Sequence, residues 1–128
     1  MTTNERPSDM SKPEDIKMAP NASVMFGKPT HPLSAEVIHR IGMRLARDEA
    51  TVEAHLPQYF ILGSTPAPRL LLVLVGSDVS QQEGVALRAR SILAKLGLAH
   101  LVADVWIMAD NDRLLPAVRH ARCQIDLL

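Results

Sequence analysis

The side chains best suited to chemistry in this sequence are His120 and Cys123, which stand three residues apart near its end. An imidazole and a thiol at this spacing make half of a zinc site, or a nucleophile with its base. A zinc site needs about four ligands, and the other four of the five histidines are scattered along the chain. A nucleophile also needs a group that orients its base, and the sequence indicates none. We therefore predict no metal, no cofactor and no catalytic residue, and interpret Cys123 as a small, partly buried apolar side chain.

A second candidate is the segment that leads into a predicted helix at Gly76, Ser77 and Ser80. Free backbone N–H groups at the start of a helix can bind a phosphate or a carboxylate. These three residues are the predicted site of an alternative function, a small-ligand (anion or amino acid) binding protein or weak enzyme that uses the 76–80 loop or the histidine–cysteine end. Against it, no phosphate-binding lysine follows the glycine, and Asp78 repels anions there.

Composition disfavours several classes of partner. The 128 residues carry 14 basic and 14 acidic side chains, a net charge of zero, whereas binding to nucleic acid or to an anionic membrane needs a basic excess. A single cysteine allows no internal disulfide and favours a reducing compartment. No apolar run approaches the roughly 20 residues of a membrane span, and residues 1–20 lack the apolar core of a signal peptide. We predict a cytoplasmic protein.

The strongest structural signal is the unbroken apolar run Leu70–Val75. Alternate side chains of a strand point to opposite faces, so this strand must be covered on both. Residues 1–22 are polar and rich in proline, which predicts a disordered tail, followed by one domain over 23–128.

Capping residues and apolar spacing place the other elements. Ser34 is a predicted N-cap, and Ser80 opens a capping box with Glu83. The predicted elements are a strand at 23–27, a helix from Ser34 to about 47–49, a strand at 51–62 interrupted by Pro57, a strand at 69–75 forming a hairpin with it, a helix ending at Gly97, a strand at 103–109 and a short helix carrying Leu114, Leu115, Val118 and Ala121. This order predicts an α+β two-layer sandwich with split β-α-β (ferredoxin-like) order and a short extra C-terminal helix.

From about Gly27 the chain resembles the C-terminal domain of the SseB (enhanced serine sensitivity) family. The resemblance is carried by Gly27-Lys28-Pro29 with Pro32, by Val52-x-Ala54, by the leucine-rich strand, by Asp104-Val105-Trp106, and by Asp110 with the helix of Leu115 and Val118. The chain departs from the family at its end, where Cys123-Gln124-Ile125 replaces a Pro-Phe-Tyr triplet. The resemblance implies a non-enzymatic accessory role and identifies no catalytic residue.

An exposed apolar surface is the main functional prediction. If both long helices cover one face of the sheet, Leu71, Val73 and Val75 point to the other face, and Trp106 and Met108 of the neighbouring strand join them. A contiguous apolar patch is typical of protein interfaces. In the alternative, the last helix, a connecting loop or the chain end folds over the patch. We predict a non-catalytic accessory or interaction domain that forms a homodimer or binds a protein partner through these five residues.

Overall fold

Strands and helices alternate along the computed structural model, which describes residues 24–63, 67–76 and 79–127. The strands are β1 (Val24–Gly27), β2 (Thr51–His55), β3 (Gln58–Ile61), β4 (Arg69–Gly76), β5 (Val102–Met108) and β6 (Gln124–Ile125). The helices are α1 (Ala35–Leu45), α2 (Gln82–Lys95) and α3 (Leu115–His120), with a 3₁₀ turn at Val79–Gln81. The predicted α+β class is confirmed, whereas the predicted tail at 1–22 lies outside the described residues.

A long hairpin forms the centre of the sheet and confirms the predicted pairing. Residues of β2 and β3 pair antiparallel with β4 in one continuous register, from Glu53 opposite Val75 to Tyr59 opposite Arg69. Pro57 divides the first arm because it has no N–H to donate, yet its carbonyl still accepts from Leu71 N at 2.9 Å. The predicted interruption of the strand at Pro57 is confirmed, and the register of this hairpin shifts not at the proline but between Thr51 and Glu53.

The other strands complete a sheet with helices on both faces. β5 runs parallel to β4 on one side of the hairpin, while β1 pairs with β3 and β6 pairs with β2 on the other. β1 therefore lies at an edge of the sheet, and α3 packs on the face opposite α1 and α2. The predicted ferredoxin-like sandwich has two layers. The observed arrangement differs from it because helices cover both faces of the sheet and β1 lies at an edge.

Two separate cores follow from the alternation of β4. Leu72 and Leu74 pack with α1 and α2, whereas Leu71, Val73 and Val75 pack with α3. All five side chains are at most 1% exposed, so the prediction that both faces of this strand are covered is confirmed.

Local signals fix the ends of the helices. Ser34 Oγ accepts from Val37 N at 3.2 Å, which confirms the predicted N-cap of α1. Gly97, with φ of +74°, ends α2 as predicted, because the left-handed region favours glycine. The start of α2 differs from the prediction, since a 3₁₀ turn places Gln81 rather than Ser80 at the N-cap.

Candidate functional site: the outer edge of β5

The predicted open face of the sheet is covered by the chain itself. Leu71, Val73, Val75 and Met108 are between 0% and 3% exposed within one molecule. The prediction that they form a surface patch is wrong, because Leu115 and Val118 of α3 and the side chains of β1 pack over them. Their apolar character stabilises the second core, in which these side chains are covered within one molecule.

Trp106 is only partly buried and lies at the margin of this second core. Its ring meets Phe26 edge-on at 6.1 Å and Tyr59 at 5.1 Å between centroids. Burial, and secondarily the carboxylate of Asp104, raise the pKa of Tyr59. The indole Nε1 donates to Oδ2 of Asp104, two residues earlier on β5, at 3.2 Å, and this hydrogen bond holds the ring beside Asp104.

The peptide groups of β5 alternate between β4 and the outside of the sheet. Leu71 donates its N–H to Pro57, away from β5, so the peptide groups of Leu72 point towards β5. Leu72 is paired with Val105, and in a parallel ladder only one member of such a pair directs its peptide groups at the other strand. The N–H and C=O groups of Val105 and Ile107 therefore point away from β4, and so does the carbonyl of Ala103, which shares a trans peptide with the N–H of Asp104. The register shifts by one residue between Val102 and Asp104, so the N–H of Ala103 does not follow this alternation.

Asp104 lies at this outer edge, and its carboxylate accepts a hydrogen bond from one of the outward N–H groups. Its Oδ1 accepts from Val105 N at 2.8 Å, and Arg90 Nη2 lies 3.4 Å from the same oxygen. Within the described residues, β5 pairs with no strand except β4. Within this seven-residue edge strand, Val105 and Ile107 thus present outward peptide groups, and the carboxylate of Asp104 covers the N–H of Val105. Such an edge is a template for pairing with another strand, and a charge on it limits that pairing.

The structure describes two of the three residues predicted to bind an anion, Gly76 and Ser80. Gly76 ends β4, where an added Cβ would lie 3.0 Å from the carbonyl oxygen of Ala50. Ser77 lies outside the described residues. Ser80 is exposed within the 3₁₀ turn that precedes α2.

The pair formed by His120 and Cys123 has no catalytic geometry. Cys123 Sγ donates to Ala121 O at 3.3 Å and approaches Gly27 O at 4.0 Å, while His120 is exposed at the end of α3. Burial raises the pKa of the Cys123 thiol, with the charge of Lys28 opposing it. A raised pKa keeps a thiol protonated and weakens it as a nucleophile. Among the residues that the structure describes, no three His, Cys, Asp or Glu side chains cluster as metal ligands would.

A partly buried ionic cluster between β2 and α3 was not predicted, in which the Arg119 side chain is 48% exposed. Glu53 Oε2 lies 2.5 Å from Nε2 of His55, and Arg119 donates to both carboxylate oxygens at 2.8 and 2.9 Å. The pKa of Glu53 is lowered to about 2. The hydrogen bonds from Arg119 are the main cause, burial opposes the shift, and His55 assists it. His55 is 1% exposed, and its Nδ1 is buried without a partner. The alternation of Val52 to His55 suggested a strand with one wet face, and no local pattern indicated that α3 covers it.

Comparisons of this chain with protein-family models, with curated proteins and with solved structures find no match. In the ranges 24–63, 67–76 and 79–127, no helix has both the length and the apolar character that crossing a membrane requires.

Proposed function

We propose that this protein is a non-catalytic accessory domain that acts as a two-fold homodimer, with the outer edge of β5 pairing antiparallel to the same edge of a second copy. The observation that carries the proposal is the set of outward peptide groups on Val105 and Ile107, at the edge of a sheet whose two faces are already covered. The accessory role accords with the resemblance to the SseB C-terminal domain, and a cytoplasmic location accords with a single free thiol.

Symmetry selects one register for this pairing. A two-fold axis relates each residue to its own copy at the centre, and only residues whose peptide groups point outward can form hydrogen-bonded pairs across it. Centred on Val105, the pairing joins the two copies of Val105 and places Ile107 of each copy opposite Ala103 of the other, where the Ile107 N–H donates to the Ala103 carbonyl.

Side chains in this register are compatible with the pairing. Asp104 of each copy lies opposite Trp106 of the other, so no like charges face each other. The indole N–H that already bonds to Asp104 at 3.2 Å has the second copy's carboxylate directly across from it. Val105 N–H exchanges its bond to Asp104 for the carbonyl of the second Val105, and Asp104 keeps Arg90 as a partner.

Sedimentation velocity of the full chain, from low to high micromolar concentration, tests the proposal. Ile107→Pro removes one outward N–H from each copy in an edge strand, where proline is tolerated if its nitrogen faces away from the neighbouring strand. Losing two hydrogen bonds worth about 1 kcal/mol each weakens the dimer by about 30-fold. Ile107→Val is the control, since it is close to proline in size, keeps the N–H and favours a strand.

A wild-type protein that remains a monomer at high micromolar concentration contradicts the homodimer. A dimer that Ile107→Pro leaves unchanged contradicts the β5 edge as its interface.

A further inference from the structure

A groove lies on the helix side of the sheet, beyond the ends of α1 and α2. Gln58 of β3 and Leu70 of β4 face each other in the hairpin ladder and form its floor. Its walls are the 29–31 loop and residues 100–101 before β5. The groove has a volume of about 520 Å³, which is within the range of roughly 300–1,000 Å³ for small-molecule sites.

The polar group on the floor is held in one orientation. Gln58 Oε1 accepts from Thr30 N at 2.9 Å and from Thr30 Oγ1 at 3.2 Å. A backbone N–H can only donate, so the amide oxygen must be the atom that faces Thr30. The amide NH₂ of Gln58 is therefore directed away from the loop, as a donor to the groove.

The lining has a charge bias that the whole protein lacks. Although the chain has a net charge of zero, the side chains of His31 and His100 line the groove, and no Asp or Glu does so among the described residues. Arg69 lines it only at the rim, because its side chain lies on the other face of the sheet with Tyr59. Leu70 and Leu101 supply an apolar surface beside these donors.

We propose that this groove binds a small organic anion, a carboxylate attached to a short apolar body. The carboxylate accepts hydrogen bonds from the Gln58 amide and from the imidazoles of His31 and His100, and the apolar body contacts Leu70 and Leu101. The site is separate from the 76–80 segment and from the His120–Cys123 end of the chain. Its argument does not depend on the β5 dimer.

Titration of the ¹⁵N-labelled full chain with benzoate, followed by NMR, tests the site. Benzoate is expected to shift the amides of residues 29–31, 58 and 100–101 saturably, whereas the uncharged benzamide shifts them far less. Gln58→Glu keeps an oxygen acceptor for both Thr30 bonds but replaces the donor with a negative charge, so the affinity for benzoate falls by about tenfold or more. Gln124→Glu adds the same charge at an exposed position outside the groove, and the affinity stays within about twofold.

Two further probes distinguish the source of the carboxylate. A Gly-Gly-Leu peptide with a free C-terminus that binds while its amide does not identifies a chain terminus as an acceptable ligand, and binding of benzoate alone identifies a free small acid. Equal binding of benzoate and benzamide overturns the proposal. Wild-type affinity for benzoate in Gln58→Glu overturns it as well.

Discussion

The two faces of β4 are equally buried but are covered in different ways. On one face, α1 and α2, of 11 and 14 residues, pack apolar side chains on Leu72 and Leu74. On the other, the six-residue α3 packs Leu115 and Val118 and is tied down by charges at its end. A long helix supplies enough apolar area to cover a sheet by itself, whereas a short one needs specific polar contacts to hold its position.

The largest expected effect comes from removing one apolar side chain from each face. Leu72→Ala and Leu115→Ala both truncate side chains that are 0% exposed, and each should lower the free energy of unfolding by about 3 kcal/mol. Only Leu115→Ala should loosen α3 and expose apolar surface, seen as binding of a hydrophobic dye under native conditions. Urea unfolding gives the energies, with Leu87→Ala, at a position that is 61% exposed, as a control expected within about 0.5 kcal/mol. A cost for Leu115→Ala as small as that control contradicts the packing of α3.

The ionic tie of α3 should show in the pH dependence of stability. Arg119 and His55 lower the pKa of Glu53 from 4.5 to about 2, a shift that corresponds to about 3 kcal/mol at most. Because the folded pKa lies below the unfolded one, this stability is present above pH 4.5 and is lost as the pH falls through about 2.

Glu53→Gln should therefore cost about 2 kcal/mol at pH 7, and the difference from wild type should shrink as the pH falls to about 2. Urea midpoints measured across this range test it. Glu36→Gln is the matched control, since the Glu36–Arg40 pair is exposed and is expected to contribute about 0.5 kcal/mol or less. A pH-independent cost for Glu53→Gln would show that the carboxylate charge does not hold α3.

The smallest expected effect is the difference between two glycines in α1 and α2, the helices that cover Leu72 and Leu74. An alanine Cβ at Gly42 of α1 would collide with the backbone carbonyl of Asp126, whereas at Gly84 of α2 it would meet only the flexible end of Arg88, at 3.1 Å. Gly42→Ala should lower stability by about 1–2 kcal/mol, and Gly84→Ala should raise it by up to about 1 kcal/mol through helix propensity. Thermal unfolding of the two variants gives opposite shifts in Tm. Stabilisation by both substitutions would contradict the close approach of α1 to the end of the chain.

Sequence patterns were sufficient for the face that the long helices cover. The N-cap Ser34, the C-terminal Gly97 and the period of the apolar residues are local signals, and the alternation of Leu70–Val75 places each side chain without knowledge of the partner. The short helix was also predicted, since Pro116 suits a first turn and does so here.

The position of that helix could not be read from the sequence. Glu53 and His55 have the pattern of a solvent-facing strand, and only the packing of α3 turns them into a buried pair with Arg119. The two-residue β6 is too short to give a periodic signal, and its place is set by pairing with Ala54 and His55. The outer edge of β5 and the groove likewise depend on which strands become neighbours, which is a long-range property.

Pro57 has a consequence for the order in which the chain is completed during synthesis. β1 pairs with β3, which follows the proline, and β6 pairs with β2, which precedes it. The ribosome synthesises β1 before β2 and β3, and it synthesises β6 after α3. The two halves of this side of the sheet are therefore completed at different times. Until residues 124–125 emerge, Ala54 and His55 lack their partners on the β6 side, and Gly42 lacks its close contact with Ile125 and Asp126. The nascent domain therefore leaves this side of β2 open to other strands until β6 pairs with it.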